Sequence, residues 1–162
     1  MASSTSLRWV AMGVALALGL GVWLYPTDEK HVKAAAEAIV SAANESSTAL
    51  SAALDEHALP GVRISVAELP EAVEGKSAIV SALSQAEQLA QKLHFRAESI
   101  EVTVEGNRAR LTADLITTLH PELPELRRPR ATTALFEKRA GNFRLASADI
   151  GPERLDQPEA RP

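Results

Sequence analysis

The chain has 162 residues, with 17 Lys and Arg against 21 Asp and Glu, a net charge of −4 and no cysteine. That length holds one domain of about 100 to 150 residues, which excludes a large multi-domain enzyme. The acidic balance excludes nucleic acid as the expected partner, because that affinity comes from clustered Lys and Arg on phosphates, and the missing cysteine excludes disulfides, thiolate metal sites and catalytic thiols.

Residues 1–8 form a short N-terminal tail ending at Arg8. From Trp9 to Tyr25 the stretch WVAMGVALALGLGVWLY carries no charge. As a helix rising about 1.5 Å per residue it would span roughly 25 Å, slightly short of a hydrocarbon core of about 30 Å. Trp9 at one end and Trp23 with Tyr25 at the other supply aromatic rings at both headgroup levels. A cleaved signal peptide would share the charged start but end on small residues, whereas Val22 to Pro26 is bulky. The segment 9–25 therefore reads as an uncleaved single-pass transmembrane anchor, with cleavage as the alternative. Arg8 before it and Lys30 and Lys33 after it do not orient it by count. The α-amino group on one side and Asp28, Glu29 and Glu37 on the other favour a cytoplasmic N-terminus and a periplasmic or extracellular C-terminal domain. Gly13, Ala17 and Gly21 leave one face smooth enough for a second helix to approach, although small residues are common in such segments.

A domain over 27–150 follows. Thr27 can cap a helix with Asp28 and Glu29 in its first turn, and Val32, Ala35, Ala36, Ile39, Val40 and Ala43 give it a narrow apolar stripe. The pattern breaks over Asn44 to Thr48 and resumes at Leu50, Ala53, Leu54 and Ala58, until Pro60 and Gly61 end a second helix. Val62, Ile64 and Val66 alternate with polar residues as a short strand, LPEAVEGK reads as a turn, and Ser77 to about His94 is a third amphipathic helix. Ile100 to Val104 and Ala109 to Leu119 form a long hairpin about Glu105-Gly106-Asn107. After the loop HPELPELRRP, Ala131 to Lys138 and Phe143 to Ile150 form a second hairpin about Ala140-Gly141-Asn142, and 151–162 reads as a disordered tail.

The strand RISVAELP, the VEGKSAIVSAL that leads into the third helix, the long strand ARLTADLITTL and the closing RPRATTALFEKRAGNFRLASADI resemble the nuclear transport factor 2-like superfamily. That superfamily includes ketosteroid isomerase-like and polyketide cyclase-like domains. The resemblance covers about Asp28 to Ile150. It implies an α+β fold, two helices, a strand, a helix and four antiparallel strands, in which a curved sheet wraps the helices as a cone and leaves a pocket at its open end. Fold alone does not select among isomerases, cyclases, carriers and assembly modules.

Individual residues narrow that range. A ketosteroid-isomerase-like site needs a carboxylate base and an oxyanion hole, usually with a Tyr. Beyond Tyr25 the only aromatics are Phe95, Phe136 and Phe143. Asp114 is the most suggestive acid, but strand alternation puts it with Arg110, Thr112 and Thr118 on the solvent face. His31, His57, His94 and His120 show no metal-ligand spacing, so no metal and no cofactor is expected. Arg127, Arg128 and Arg130 cluster near Glu122 and Glu125, as a solvated basic loop or an anion or partner site.

Two functions are therefore expected from this sequence. The first is a membrane-anchored, non-enzymatic binding or assembly module, a homodimer or part of a membrane complex. It would dock through a sheet face bearing Arg110, Thr112, Asp114, Thr118 and Thr132, an arrangement similar to the single-pass assembly components of bacterial type IV secretion systems. The alternative is a carrier of an apolar small molecule, or a weak isomerase-like or cyclase-like enzyme. Its cone pocket would be lined by Leu50, Leu54, Ile79, Leu83, Phe136 and Leu145, with Asp55 and His57 at the mouth.

Overall fold

A computed structural model of the chain describes residues 27–89, 93–118 and 128–154. The expected anchor at 9–25, His120, Arg127 and the tail beyond Arg154 lie outside the described residues. Among the described residues, no helix is long and apolar enough to cross a membrane.

Helix α1 (Asp28–Glu45) starts where the sequence predicts, with Thr27 Oγ1 accepting from the Lys30 N–H at 3.4 Å and two acidic residues in the first turn. The expected break narrows to one residue. Ser46 is extended, its N–H closes α1 on the Ala42 carbonyl, and its Oγ accepts from Ala49 N at 3.0 Å to cap α2 (Ser47–His57). Strand β1 (Ala58–Val66) begins at once, four residues earlier than its alternation predicts. A register shift between Ala58 and Arg63 absorbs Leu59, Pro60 and Gly61, so the proline sits in an irregularity that needs no N–H from it.

The segment read as a turn holds a two-residue strand, β2 (Val73–Glu74), paired antiparallel with Ile64 and Arg63. Helix α3 (Lys76–Leu89) stops short of the expected His94, which instead opens β3 (His94–Glu105). The cause is tertiary. The Asn44 side chain accepts from Phe95 N at 2.6 Å and donates to Phe95 O at 2.7 Å, while Phe95 also pairs with Thr117 of β4 (Arg108–Thr118). A bulge at Ser99 (φ 52°) then shifts the alternation, so Phe95 and Ala97 before it and Ile100, Val102 and Val104 after it are the more buried positions.

Strands β5 (Arg128–Arg139) and β6 (Asn142–Glu153) complete a six-stranded sheet of order β2-β1-β6-β5-β4-β3. The four C-terminal strands are antiparallel, whereas β1 and β6 are parallel. Gly106 at φ 60° and Ala140 and Gly141 at positive φ form the two-residue turns that match strand twist. Strand β6 runs three residues past Ile150 into the expected tail, because Glu153 pairs with Arg130. Gly151 permits this: a Cβ there would lie 2.9 Å from the Ala131 carbonyl oxygen.

The helices cover one sheet face. Val32, Leu54, Val62 and Phe136, all under 2% exposed, belong to one buried core with Leu111, Phe143 and Leu145.

Candidate functional site

Toward the C-terminal ends of β1, β4 and β6 the core opens. A cavity of about 280 Å³ lies between the second half of α1, α2, α3 and the sheet. Its wall consists of Ile39, Val40, Ala43, Leu50, Leu54, Ile64, Val66, Leu69, Val73, Ile79, Ala82, Leu83, Phe95, Leu115 and Ile150. None of these can titrate. Leu69 is 48% exposed at the rim.

Leu50, Leu54, Ile79 and Leu83, four of the residues assigned to a pocket by sequence, come together in this wall. Phe136 and Leu145 do not. They are 1% and 5% exposed and fill the packed end of the core, because the pair sits at the β5–β6 turn end of the sheet. Asp55 is also absent from the wall: it lies on the exposed side of α2, where Lys76 Nζ pairs with its carboxylate at 3.2 Å. His57 borders a separate groove with His31, Glu56 and Arg144. His94 stands at the start of a strand and not at a helix end. No group of three His, Asp or Glu gathers at metal-binding distance among the described residues.

The proposed docking face divides in the same way. Arg110, Thr112 and Asp114 lie on the sheet face away from the helices, Arg110 and Thr112 exposed and Asp114 3.6 Å from Arg154 Nη1. Thr118 shares their parity, with its Oγ1 buried and without a hydrogen-bond partner. Thr132 does not belong with them. It pairs with Ala113 and Ile150, so register places it on the inner face, and Thr133 takes the outer position opposite Thr112. Leu135, 40% exposed and opposite Arg110, adds an apolar residue to the outer face.

Sequence reading missed Arg130 as a structural centre. It pairs with Leu115 of the cavity wall and has the same parity as the buried Phe136, a signal the sequence already carried. Its side chain is 15% exposed. Nη1 donates to both Glu68 oxygens at 2.7 and 2.6 Å and to the Gly151 carbonyl at 3.2 Å, while Nη2 donates to Glu153 Oε1 at 2.9 Å. These bonds hold the Glu68 carboxyl below the usual carboxylate range. Burial works against the Arg130 charge, but the hydrogen bonds to Glu68 and Glu153 outweigh it and push the guanidinium pKa up.

A helical layer inside a curved sheet, hollow at one end, is the arrangement of the nuclear transport factor 2-like cone. The SnoaL-like domain model matches residues 32–150, nearly all of this unit. The chain belongs to the SnoaL-like domain family. Among solved structures, a Pseudomonas putida KT2440 NTF2-like protein of unknown function aligns at 12% identity with a TM-score of 0.65, over 83% of this chain and 96% of its own. An NTF2-like protein with a cystatin-like fold from Novosphingobium aromaticivorans aligns at 17% identity and 0.64, over 99% and 95%. A Streptomyces avermitilis member of the NTF2-like family, provisionally named a dehydratase, aligns at 17% identity and 0.59, over 77% and 95%. At these identities the likeness is one of fold. No curated protein matches the chain.

Proposed function

We propose that this SnoaL-like domain is a non-enzymatic binding module that takes an apolar small molecule into its cone and is held at a membrane by residues 9–25. The observation that carries this reading is the chemistry of the cavity wall, fifteen residues without one acid, base, hydroxyl or amide. Dehydration, isomerisation and cyclisation each need a group beside the substrate that moves a proton. Asp114, the best acid by sequence, lies on the other face of the sheet, paired with Arg154. An aliphatic wall favours a ligand that buries hydrocarbon.

Native mass spectrometry of the full-length chain, extracted from its own membranes, tests the proposal. The intact N-terminus and one apolar adduct are expected, and Leu83→Trp, which places an indole in the cavity, should remove the adduct. An empty wild-type chain, or an adduct that persists in Leu83→Trp, overturns the carrier reading.

The exposed Leu135 beside Arg110 favours a second reading, docking of the outer sheet face onto another copy or a membrane-complex partner. A dimer in the same spectrum that disappears in Thr112→Lys would support it, and a monomer at all concentrations would count against it.

A further inference from the structure

A charged side chain outside the wall stands next to it in the sheet. Arg130 pairs across the sheet with Leu115, which lines the wall. Its principal partner, Glu68, sits between Val66 and Leu69, both wall residues, and Gly151, whose carbonyl it also binds, follows the wall residue Ile150. The guanidinium is thus held by groups whose chain neighbours form the wall, while neither Arg130 nor Glu68 is itself a wall residue.

Its two carboxylates differ. Glu153 belongs to β6 and pairs in register with Arg130 itself. Glu68 lies in the irregular segment after β1, and its side chain is 50% exposed. Release of Glu68 would return a carboxylate to water that already half surrounds it, whereas a neutral partner in its place would leave Arg130 with a weaker bond. A second carboxylate can therefore exchange for it with little change in charge or solvation. The cavity of about 280 Å³ lies just under the usual pocket range of about 300–1,000 Å³, which limits the hydrocarbon to a chain of medium length.

We propose that the ligand is an amphipathic monocarboxylate of medium chain length, its hydrocarbon in the cavity beside Leu83 and Leu115 and its carboxylate replacing Glu68 on Arg130. This rests on the cavity being a binding site. Glu68 then acts as an internal stand-in for the head group, holding Arg130 charged and oriented while the cavity is unfilled.

Calorimetry on the full-length chain in lipid nanodiscs, with empty nanodiscs as the blank, compares octanoate with 1-octanol. The expected result is a small preference for octanoate in the wild type, where its carboxylate only exchanges for that of Glu68, and one of about tenfold in Glu68→Gln, where no carboxylate has to leave. Arg130→Met should erase that preference and leave 1-octanol unchanged, and Glu68→Gln should tighten octanoate by removing its competitor. Equal binding of the two compounds in Glu68→Gln, or a preference that neither variant alters, overturns the inference while leaving the apolar cavity as a site. Binding of neither overturns the cavity reading and the inference together. Should Arg130→Met fail to fold, Glu68→Gln decides alone, since it changes only a half-exposed side chain: unchanged octanoate affinity overturns the proposal.

Discussion

The two ends of the cone are built from the same sheet and the same helices, yet one is filled and the other is hollow. At the filled end, β5 and β6 send Phe136, Phe143 and Leu145 against Val32, Ala35 and Leu111. At the hollow end the inward positions of β5 are Thr132 and Arg130, neither of which is a wall residue, and the wall is aliphatic apart from Phe95. The inward side chains of β5 differ between them. Two aromatics fill the space between helix and sheet at one end. At the other, β5 contributes a hydroxyl that bonds the Arg130 carbonyl at 3.2 Å and a guanidinium that binds carboxylates.

Substitutions can test that contrast. Phe136→Ala, at the filled end, should cost about 3–5 kcal/mol in chemical denaturation, because the surrounding core cannot collapse onto the vacated ring volume. A cost below about 1 kcal/mol would mean that this end is not closely packed. Asn44→Ala should cost about 1–3 kcal/mol, since it leaves the Phe95 N–H and C=O without their side-chain partner. Loss of amide protection at Phe95 in hydrogen exchange would locate the effect. Leu83→Ala, at the hollow end, should cost less than about 2 kcal/mol, below the usual range for buried leucines, because it widens an existing cavity. A cost equal to that of Phe136→Ala would erase the distinction between the ends.

The smallest expected effect is electrostatic. Because the folded Glu68 pKa is lowered by Arg130, its pairing stabilises the fold above the ordinary carboxylate pKa, and this contribution disappears as pH falls through the lowered value. Glu68→Gln should therefore show a flatter loss of stability on the acid side, below about pH 4.5, and thermal unfolding across pH 2 to 7 measures it. Identical profiles for the variant and the wild type would leave Arg130 held mainly by Glu153.

Where local chemistry sets structure, the sequence could be read directly. Thr27 and Ser46 cap their helices through side chains a few residues from the groups they bind, and Gly106 and Gly141 fix tight turns. The misreadings occurred where distant partners decide. Leu93 and His94 continue the apolar spacing of α3, but Phe95 is captured by Asn44, 51 residues away in sequence, and the chain becomes a strand. Strand β2 is too short to show any alternation and exists through its pairing with β1. Thr132 was readable, since it stands four residues before Phe136 and alternation gives both the same face. The three pocket leucines and one isoleucine were legible as apolar helix positions, as was Ile39, whereas Phe95, Leu115 and Ile150 join them from three separate strands of the sheet.

The parallel pairing of β1 with β6 has a consequence for how the chain acquires its fold. Strands β3 to β6 are neighbours in sequence and can zip together locally, but β1 meets β6 only after some eighty residues of intervening chain, a closure that is slow because its entropy is lost before its contacts form. During synthesis, α1, α2 and β1 leave the ribosome long before the strand that holds them to the meander, and their apolar faces wait uncovered until Asn142 to Glu153 emerges. The last strand made is thus the keystone of the domain, and the hollow end, whose wall draws on both halves, comes into being only when it is set.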